Sequence, residues 1–203
     1  AGVELQVISG EEEAELSFLG ATSAVDDVAP GQVVVADPGG RSTELVAMTP
    51  QGMRAVSAPV GVRSLTERFV TTDPPRPEQL DAAWDAASSA LTEALGLVAG
   101  RQALVVTGGT AIAAALLQGQ WTFTPHQVRA LRERLCGLDQ AGRRAALSFD
   151  PERAEVICCG LVLVEVLAAH APGGQAYISP GGVREGVLLR RTGARGILPD
   201  GLG

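Results

Sequence analysis

The segment over residues 33–46 constrains the fold of this chain more than any other. Its sequence is VVVADPGGRSTELV, in which one apolar run ends at Asp37 and a second begins after Glu44. Short apolar runs separated by Gly and Ser predict two β-strands joined by a tight turn. Because the two carboxylates flank this turn, the pattern predicts that both lie at its mouth.

The turn has the composition of an anion site, and an ordinary hairpin shares that composition. Gly39 and Gly40 let backbone N–H groups approach an anion with no side chain between them. Asp37 and Glu44 could hold a hard cation such as Mg²⁺, which would carry a phosphate. Hairpin turns without further function also favour Asp, Gly and Ser. The segment alone therefore leaves both interpretations open.

The composition narrows the class of protein. With 203 residues, of which 46% are hydrophobic, the chain is long enough for one domain with a proper core. The net charge of -7 argues against a general nucleic-acid-binding protein. All 16 basic residues are arginine, which binds phosphate in a bidentate fork.

The cysteines and histidines are predicted to have no catalytic or metal-binding role. Cys136, Cys158 and Cys159 are an odd number of thiols, and the adjacent pair lies in an apolar stretch, which indicates buried thiols in a reducing compartment. His126 and His170 are isolated, so no Cys/His cluster has zinc spacing.

We expect a cytoplasmic protein with no membrane contact. The longest apolar run, over residues 156–169, contains Glu165 and is shorter than the roughly 20 residues of a membrane-spanning helix. No signal peptide is visible.

Alternation of strands and helices predicts the fold class. Strands are predicted over residues 3–8, 32–36, 43–48, 53–60, 103–106 and 176–179. Helices are predicted after Ser9, over residues 62–69 and 78–98, after Thr110, from Thr124 to Gly137, and over residues 153–169 and 183–190. Three successive strands followed by alternating elements indicate an α/β domain with a mixed sheet.

A second glycine pair, Gly108-Gly109, follows the buried strand over residues 103–106. Two glycine turns at strand ends commonly approach one phosphorylated ligand from two sides. Close packing of a helix on a strand is the other reason for a glycine pair at such a junction.

Six segments along nearly the whole chain carry a further signal. They are ISGEEEA at residues 8–14, DPGGRSTE at 37–44, GVRSLTERF at 61–69, TGGT at 107–110, RAEVICCG at 153–160 and SPGGVREGVL at 179–188. In this order they resemble the exopolyphosphatase/guanosine pentaphosphate phosphatase (Ppx/GppA) family of the sugar kinase–Hsp70–actin superfamily. The resemblance implies a ribonuclease-H-like, actin-like ATPase domain with helices on both faces of the sheet.

The resemblance also implies the roles of individual residues. Glu13 matches the glutamate that orients or deprotonates the attacking water, and Asp37 and Glu44 match the carboxylates near Mg²⁺ and phosphate. The phosphate-binding positions that it implies are Gly39, Gly40, Ser42, Thr43, Gly108, Gly109 and Thr110, and Arg41 lies among them.

The activity implied by the resemblance is release of terminal phosphate from inorganic polyphosphate or guanosine pentaphosphate with Mg²⁺, in a bacterial cytoplasm. Family members hold the active site between two domains, and this chain corresponds to the second. Residues 1–30 would form an interdomain strand and linker helix, residues 31–191 the domain, and residues 192–203 a loose tail. We therefore expect little hydrolysis by this chain without a first domain. The strand over residues 3–8 would pair outside the domain, which favours a homodimer.

Three positions depart from the family pattern, namely Pro38, Arg41 and Pro180. Pro38 removes one N–H donor. Arg41 would either bind a phosphate oxygen or block the anion site, with strained backbone if its φ is positive. The three departures favour the blocking interpretation and an alternative function, a binding or regulatory domain that has lost turnover. A kinase or chaperone half of the same superfamily is a further alternative, against which the Glu13 helix and GVRSLTERF argue.

Overall fold

The computed structural model describes residues 8–193, apart from residues 24, 26 and 27 and the side chain of Glu11. The strand predicted over residues 3–8 lies outside the described residues except for Ile8, and so does the predicted tail beyond residue 193. The proposed division of the chain at residue 30 stays a prediction.

The described residues form six strands and eight α-helices. The strands are β1 (Val33–Pro38), β2 (Thr43–Thr49), β3 (Gly52–Ala58), β4 (Ala103–Val106), β5 (Thr122–Phe123) and β6 (Ala176–Ile178). The helices are α1 (Gly10–Thr22), α2 (Val62–Phe69), α3 (Pro77–Leu95), α4 (Gly109–Gln118), α5 (Pro125–Cys136), α6 (Gln140–Ala146), α7 (Ile157–Ala169) and α8 (Val183–Thr192). All the predicted elements inside this range are confirmed, with shifted ends. β5 and α6 were not predicted.

The six strands form one mixed sheet in the order β3-β2-β1-β4-β6-β5. β1 is antiparallel to β2 and parallel to β4, and β4 is parallel to β6. The carboxyl ends of β1 and β4 therefore lie at the same edge of the sheet. The first glycine pair follows β1 and the second follows β4, so the topology brings the two turns to that edge.

The sheet has a hydrophobic core on each face, which confirms helices on both sides. Val33 and Val35 of β1 pack with Phe18 of α1 in one core. Val34 and Ala36 belong to the larger core, which contains residues of α3 and α7. Successive residues of a strand face opposite sides. Asp37 therefore follows Val33 and Val35 on the face of the sheet that α1 covers.

Close contact between α1 and α8 fixes the position of α1. A Cβ added at Gly20 would overlap the Gly182 carbonyl, and one at Gly186 would overlap the Leu16 carbonyl. Only residues without a side chain allow backbones to approach this closely. The start of α1 is capped by Ser9, whose Oγ accepts a hydrogen bond of 3.1 Å from the Glu12 N–H.

The apolar run over residues 156–169 forms a helix of the domain core, as α7. Its one charged side chain, Glu165, is buried and accepts hydrogen bonds of 2.8 Å from both Arg129 and Arg132. All three cysteines are buried free thiols, as predicted. In the part of the chain that the structure describes, no helix is long and apolar enough to cross a membrane.

Candidate active site

A cavity of about 400 Å³ lies between α1 and the sheet. Val35, Val46 and Ala55 contribute apolar side chains to its lining. Its carboxylates come from three elements, with Glu13 on α1, Asp37 on β1 and Glu44 on β2. The structure therefore brings together the three acidic residues that the sequence analysis selected.

Strand pairing explains the position of Asp37 and Glu44. Asp37 lies directly opposite Glu44 in the antiparallel register of β1 and β2. Side chains of directly opposed residues lie on the same face of a sheet, with their Cβ atoms about 5 Å apart. The predicted strand, turn and strand with both carboxylates at the mouth of the turn is confirmed.

Two serines hold the Glu44 carboxylate in place. Its Oε1 atom accepts a hydrogen bond of 2.5 Å from Ser42 Oγ and one of 2.9 Å from Ser57 Oγ. Ser42 therefore acts on the site through Glu44, and the second serine comes from β3. The family resemblance did not identify Ser57, although its place opposite Glu44 in the β2–β3 register brings it to the same face.

Asp37 lies in an environment that disfavours its charge. Burial raises the pKa of the Asp37 carboxyl above its ordinary value, and the neighbouring Glu44 and Glu13 carboxylates raise it further. A bound cation would remove this electrostatic cost, so the donor set fits a hard cation. Among the described residues, no group of three or more His, Cys, Asp or Glu side chains forms a metal cluster. A cation held by Asp37 and Glu44 would therefore take its other ligands from water and phosphate.

The first glycine turn uses several of its backbone groups inside the protein. The Gly39 N–H donates to the Ser42 carbonyl at 2.8 Å, which closes the turn. The Gly40 carbonyl accepts from the N–H groups of Arg63 and Ser64 at 2.8 and 3.1 Å. These are orphan donors of the first turn of α2, so Gly40 caps that helix. The predicted role of Gly39 and Gly40 as donors to an anion therefore does not extend to the Gly39 N–H.

Thr43 lies on the far side of the turn from the cavity. It is fully buried, and its Oγ1 donates to the Val60 carbonyl at 2.6 Å. The hydroxyl thus ties the start of β2 to the segment before α2. The structure does not bring Thr43 to the carboxylates.

Gly61 makes the contact between the turn and α2 possible. A Cβ at this position would overlap the backbone of Gly40 and Arg41. The sequence analysis assigned Gly61 no role, because only the folded chain shows which backbone lies beside it.

The second glycine turn lies beside Asp37. Gly108 has φ of +88°, and a Cβ there would lie 3.0 Å from Asp37 Oδ1. Gly108 precedes α4, which begins with no side-chain cap. The N-terminal end of a helix attracts anions through its N–H groups and its dipole. The predicted meeting of the two glycine turns is therefore present, with Asp37 between them.

Arg153 is a residue that the site assignment missed. A Cβ at Gly109 would overlap the Arg153 guanidinium, so the group lies against the second glycine turn. Its carboxylate partner is Asp150, at 3.0 Å. Arg153 stands in the RAEVICCG segment, and its basic charge is the signal that could have identified it. Thr110, by contrast, is buried against Gly160, and its Oγ1 has no hydrogen-bond partner among the described residues.

Arg41 lies outside the cavity with unstrained backbone. No residue other than glycine has positive φ in the described part of the chain, so the condition for strain at Arg41 is not met. Its side chain is 74% exposed, and its Nη1 lies 3.5 Å from Glu67 Oε2 on α2. The guanidinium therefore does not fill the space between the carboxylates. Pro180 is also absent from the cavity lining.

Comparisons with known proteins show the family of this chain and the similarity of its fold to solved structures. A family model, described as the Ppx/GppA phosphatase family, matches residues 1–194. Exopolyphosphatase 2 of Mycobacterium tuberculosis is 31% identical over 95% of this chain, which spans 65% of that relative's length. A crystal structure of an exopolyphosphatase-like protein is 29% identical, with a TM-score of 0.76 over 94% of this chain and 70% of the other. The crystal structure of the Ppx/GppA phosphatase of Aquifex aeolicus is 25% identical, with a TM-score of 0.78 over 92% of this chain and 65% of the other.

Proposed function

The chain belongs to the Ppx/GppA phosphatase family, and on that premise we propose that it is a phosphohydrolase domain that releases phosphate from inorganic polyphosphate. The observation that carries the proposal is the cavity where Glu13, Asp37 and Glu44 meet, with the second glycine turn beside Asp37. Relatives named exopolyphosphatase favour polyphosphate as the substrate, and guanosine pentaphosphate is the second candidate. The proposal includes a bacterial cytoplasmic location, which the buried free thiols support.

Each residue of the cavity has a distinct part in this proposal. Glu13 approaches from α1, opposite the sheet, and would orient a water molecule or accept its proton. Asp37 and Glu44 would hold Mg²⁺, which neutralises phosphate charge when it is bound. The start of α4 and the Arg153 guanidinium would receive the phosphate oxygens. Ser42 and Ser57 keep Glu44 in place for this task.

The proposed partners follow from the family resemblance. A first domain would close the cavity from the open side, because the layout of the family places the active site between two domains. Exclusion of water by that domain would strengthen the electrostatic contacts to phosphate. A homodimer through the strand predicted over residues 3–8 likewise stays a prediction.

Loss of the Glu13 carboxylate tests the proposal. In the full-length protein that carries this domain, Glu13→Gln should slow Mg²⁺-dependent phosphate release about 100- to 10,000-fold, because the loss falls on the transition state. Polyphosphate affinity should change little. Phosphate release is measured with polyphosphate, guanosine pentaphosphate and ATP in parallel, and affinity by calorimetry.

Glu12→Gln is the matched control. Glu12 lies on the same helix and pairs with Arg190 at 3.2 Å. This variant should keep nearly full turnover. If turnover of the Glu13→Gln variant stayed within about threefold of the unaltered protein, Glu13 would have no part in the reaction, since loss of a general base lowers turnover far more.

A binding or regulatory domain without turnover is the second candidate. The observation that favours it is the first glycine turn, which lacks an N–H donor at Pro38 and uses the Gly39 N–H internally. Polyphosphate binding with no release of phosphate by the unaltered full-length protein would establish this alternative. Release from ATP alone would instead indicate the kinase or chaperone branch of the superfamily.

A further inference from the structure

The carboxyl end of α5 meets the amino end of α7. Arg143 is buried, and its guanidinium donates to the carbonyl of Leu138, just after α5, and to that of Ala154, just before α7. Farther from this meeting point, Arg129 of α5 donates to Glu165 of α7 at 2.8 Å. The two helices therefore pack against each other in opposite directions.

This packing brings two cysteines to the same place. Cys136 lies seven residues after Arg129, and Cys158 lies seven residues before Glu165. Seven residues are about two turns of an α-helix, so each cysteine shares a face of its helix with the corresponding member of the ion pair. Because the helices are antiparallel, the two thiols meet as Arg129 and Glu165 do. Both thiols are free and buried.

The two thiols are in direct contact, and their tendencies to ionise differ. A hydrogen bond with Cys158, together with burial, raises the pKa of the Cys136 thiol above its ordinary value. The same hydrogen bond lowers the pKa of Cys158, and the nearby Arg143 guanidinium lowers it further, against the effect of burial. The thiolate is the reactive form of a cysteine. Cys158 is therefore the better nucleophile of the pair.

Cys159 follows Cys158 in the chain but has different neighbours. It is fully buried, and it is hydrogen-bonded with Thr66 of α2. Burial raises the pKa of the Cys159 thiol to about 11. Successive side chains of an α-helix point about 100° apart, so the neighbouring thiols of α7 contact different helices. Cys159 thus offers an internal comparison within one turn of α7.

We propose that Cys136 and Cys158 are a site of reversible oxidation, at which a hydroperoxide joins α5 to α7 through a disulfide. The disulfide closes residues 136–158 into a covalent loop. That loop contains Arg153, which lies against the second glycine turn. A closed loop restricts the unfolded chain, so oxidation makes this part of the domain harder to unfold.

With hydrogen peroxide the reaction has two steps. The Cys158 thiolate attacks one oxygen atom and the O–O bond breaks, which leaves a sulfenic acid on Cys158, and the departing hydroxide takes up the thiol proton as water. The Cys136 sulfur then attacks the sulfenic sulfur, the S–O bond breaks, and the second water leaves with the Cys136 proton. The two thiols lose two electrons and two protons, and the peroxide is reduced to two water molecules. In a reducing compartment the disulfide forms only while oxidant is present.

The test is peptide mapping of the unaltered protein after treatment with hydrogen peroxide, at several protein concentrations. Trypsin cleaves after arginine and leaves Cys136 in the peptide 135–143 and Cys158 in the peptide 154–184. Without reductant we expect these peptides to be joined, with the loss of two hydrogen atoms, and dithiothreitol should separate them. The yield should not depend on protein concentration, because both thiols belong to one chain.

Three matched variants assign the thiols. Cys136→Ala should abolish the joined peptides and leave a sulfenic acid on Cys158, which dimedone labels after unfolding in urea. Cys158→Ala should also abolish them, whereas Cys159→Ala should give the same yield as the unaltered protein. No joined peptides in the unaltered protein, a yield that rises with protein concentration, or a disulfide that survives in Cys158→Ala and is lost in Cys159→Ala would overturn the proposal.

Discussion

Gly39-Gly40 joins β1 to β2, whereas Gly108-Gly109 joins β4 to α4, and both pairs lie at the sheet edge that carries Asp37. The first pair has ordinary φ angles, and its backbone closes a turn and caps α2. In the second pair, Gly108 has φ of +88° and packs on Asp37, while Gly109 packs on Arg153. One pair thus supports a neighbouring helix, and the other packs on Asp37 and Arg153.

This difference separates two reasons for glycine in a turn. At the second pair the backbone conformation itself requires glycine. At the first pair the φ angles are open to other residues, although a Cβ at Gly39 would lie 3.0 Å from the Ser42 carbonyl oxygen. The most crowded position is Gly61, opposite the turn. The following substitutions test this distinction, from the largest expected loss of stability to the smallest.

Gly61→Ala should lower the free energy of unfolding by about 2–3 kcal/mol, because its Cβ would overlap backbone atoms that cannot move independently. Gly61 has φ of -142°, so alanine meets no conformational strain and the loss is purely steric. Urea denaturation measures the change. The control is Gly96→Ala, which has φ of -57° and no atom within 4 Å of the added Cβ. Equal stabilities of the two variants would show that α2 can move away from the turn.

Gly108→Ala should cost about 1–2 kcal/mol, because the Cβ of an alanine at positive φ crowds the carbonyl group of the preceding residue. The added Cβ would also meet Asp37 Oδ1 at 3.0 Å. Gly119→Ala is the control, since Gly119 has φ of +65° with open space around the Cβ position. Urea denaturation should show a larger loss for Gly108. A loss no larger than at Gly119 would mean that Asp37 does not constrain this turn.

Gly40→Ala should change the free energy of unfolding by less than about 1 kcal/mol. The change is stabilising if alanine reduces the conformational freedom of the unfolded chain. The nearest atom to its Cβ position is Arg63 Cβ at 3.9 Å, an ordinary contact. Thermal and urea denaturation together measure so small an effect. A loss above about 1.5 kcal/mol, beyond the range of such substitutions, would erase the contrast between the two glycine pairs.

Local signals in the sequence predicted much of this fold. The two apolar runs separated by a glycine turn within residues 33–46 predicted β1 and β2, with Asp37 and Glu44 at the mouth of the turn. The helix predicted from Thr124 begins there, as α5, and both reciprocal hydrogen bonds of a capping box between Thr124 and Gln127 are present. The α6 helix was missed although Asp139 caps it by accepting from the Gly142 N–H at 2.8 Å. A strand of two residues such as β5 is too short to show periodicity.

The features of the fold and site that the sequence did not predict depend on contacts between distant parts of the chain. Neither the approach of Arg153 to Gly109 nor that of Gly61 to Gly40 leaves a periodic pattern, because each depends on how separate elements pack. The exposed orientation of Arg41 also depends on packing, since its ion-pair partner Glu67 belongs to another element. A family resemblance can identify these residues from the sequence. Their neighbours are set by how the separate elements pack in the folded chain.

The glycine crossing of α1 and α8 has a consequence for the order in which the cavity is completed. A chain leaves the ribosome from its N-terminal end, so α1 is made long before its partner helix. Until residues 183–192 emerge, α1 lacks the neighbour that its Gly20 and Leu16 backbones contact. Glu13 would then reach its place above Asp37 only after α8 has been made. We therefore expect a nascent chain to form the sheet and its two carboxylates first, and to gain the third carboxylate last.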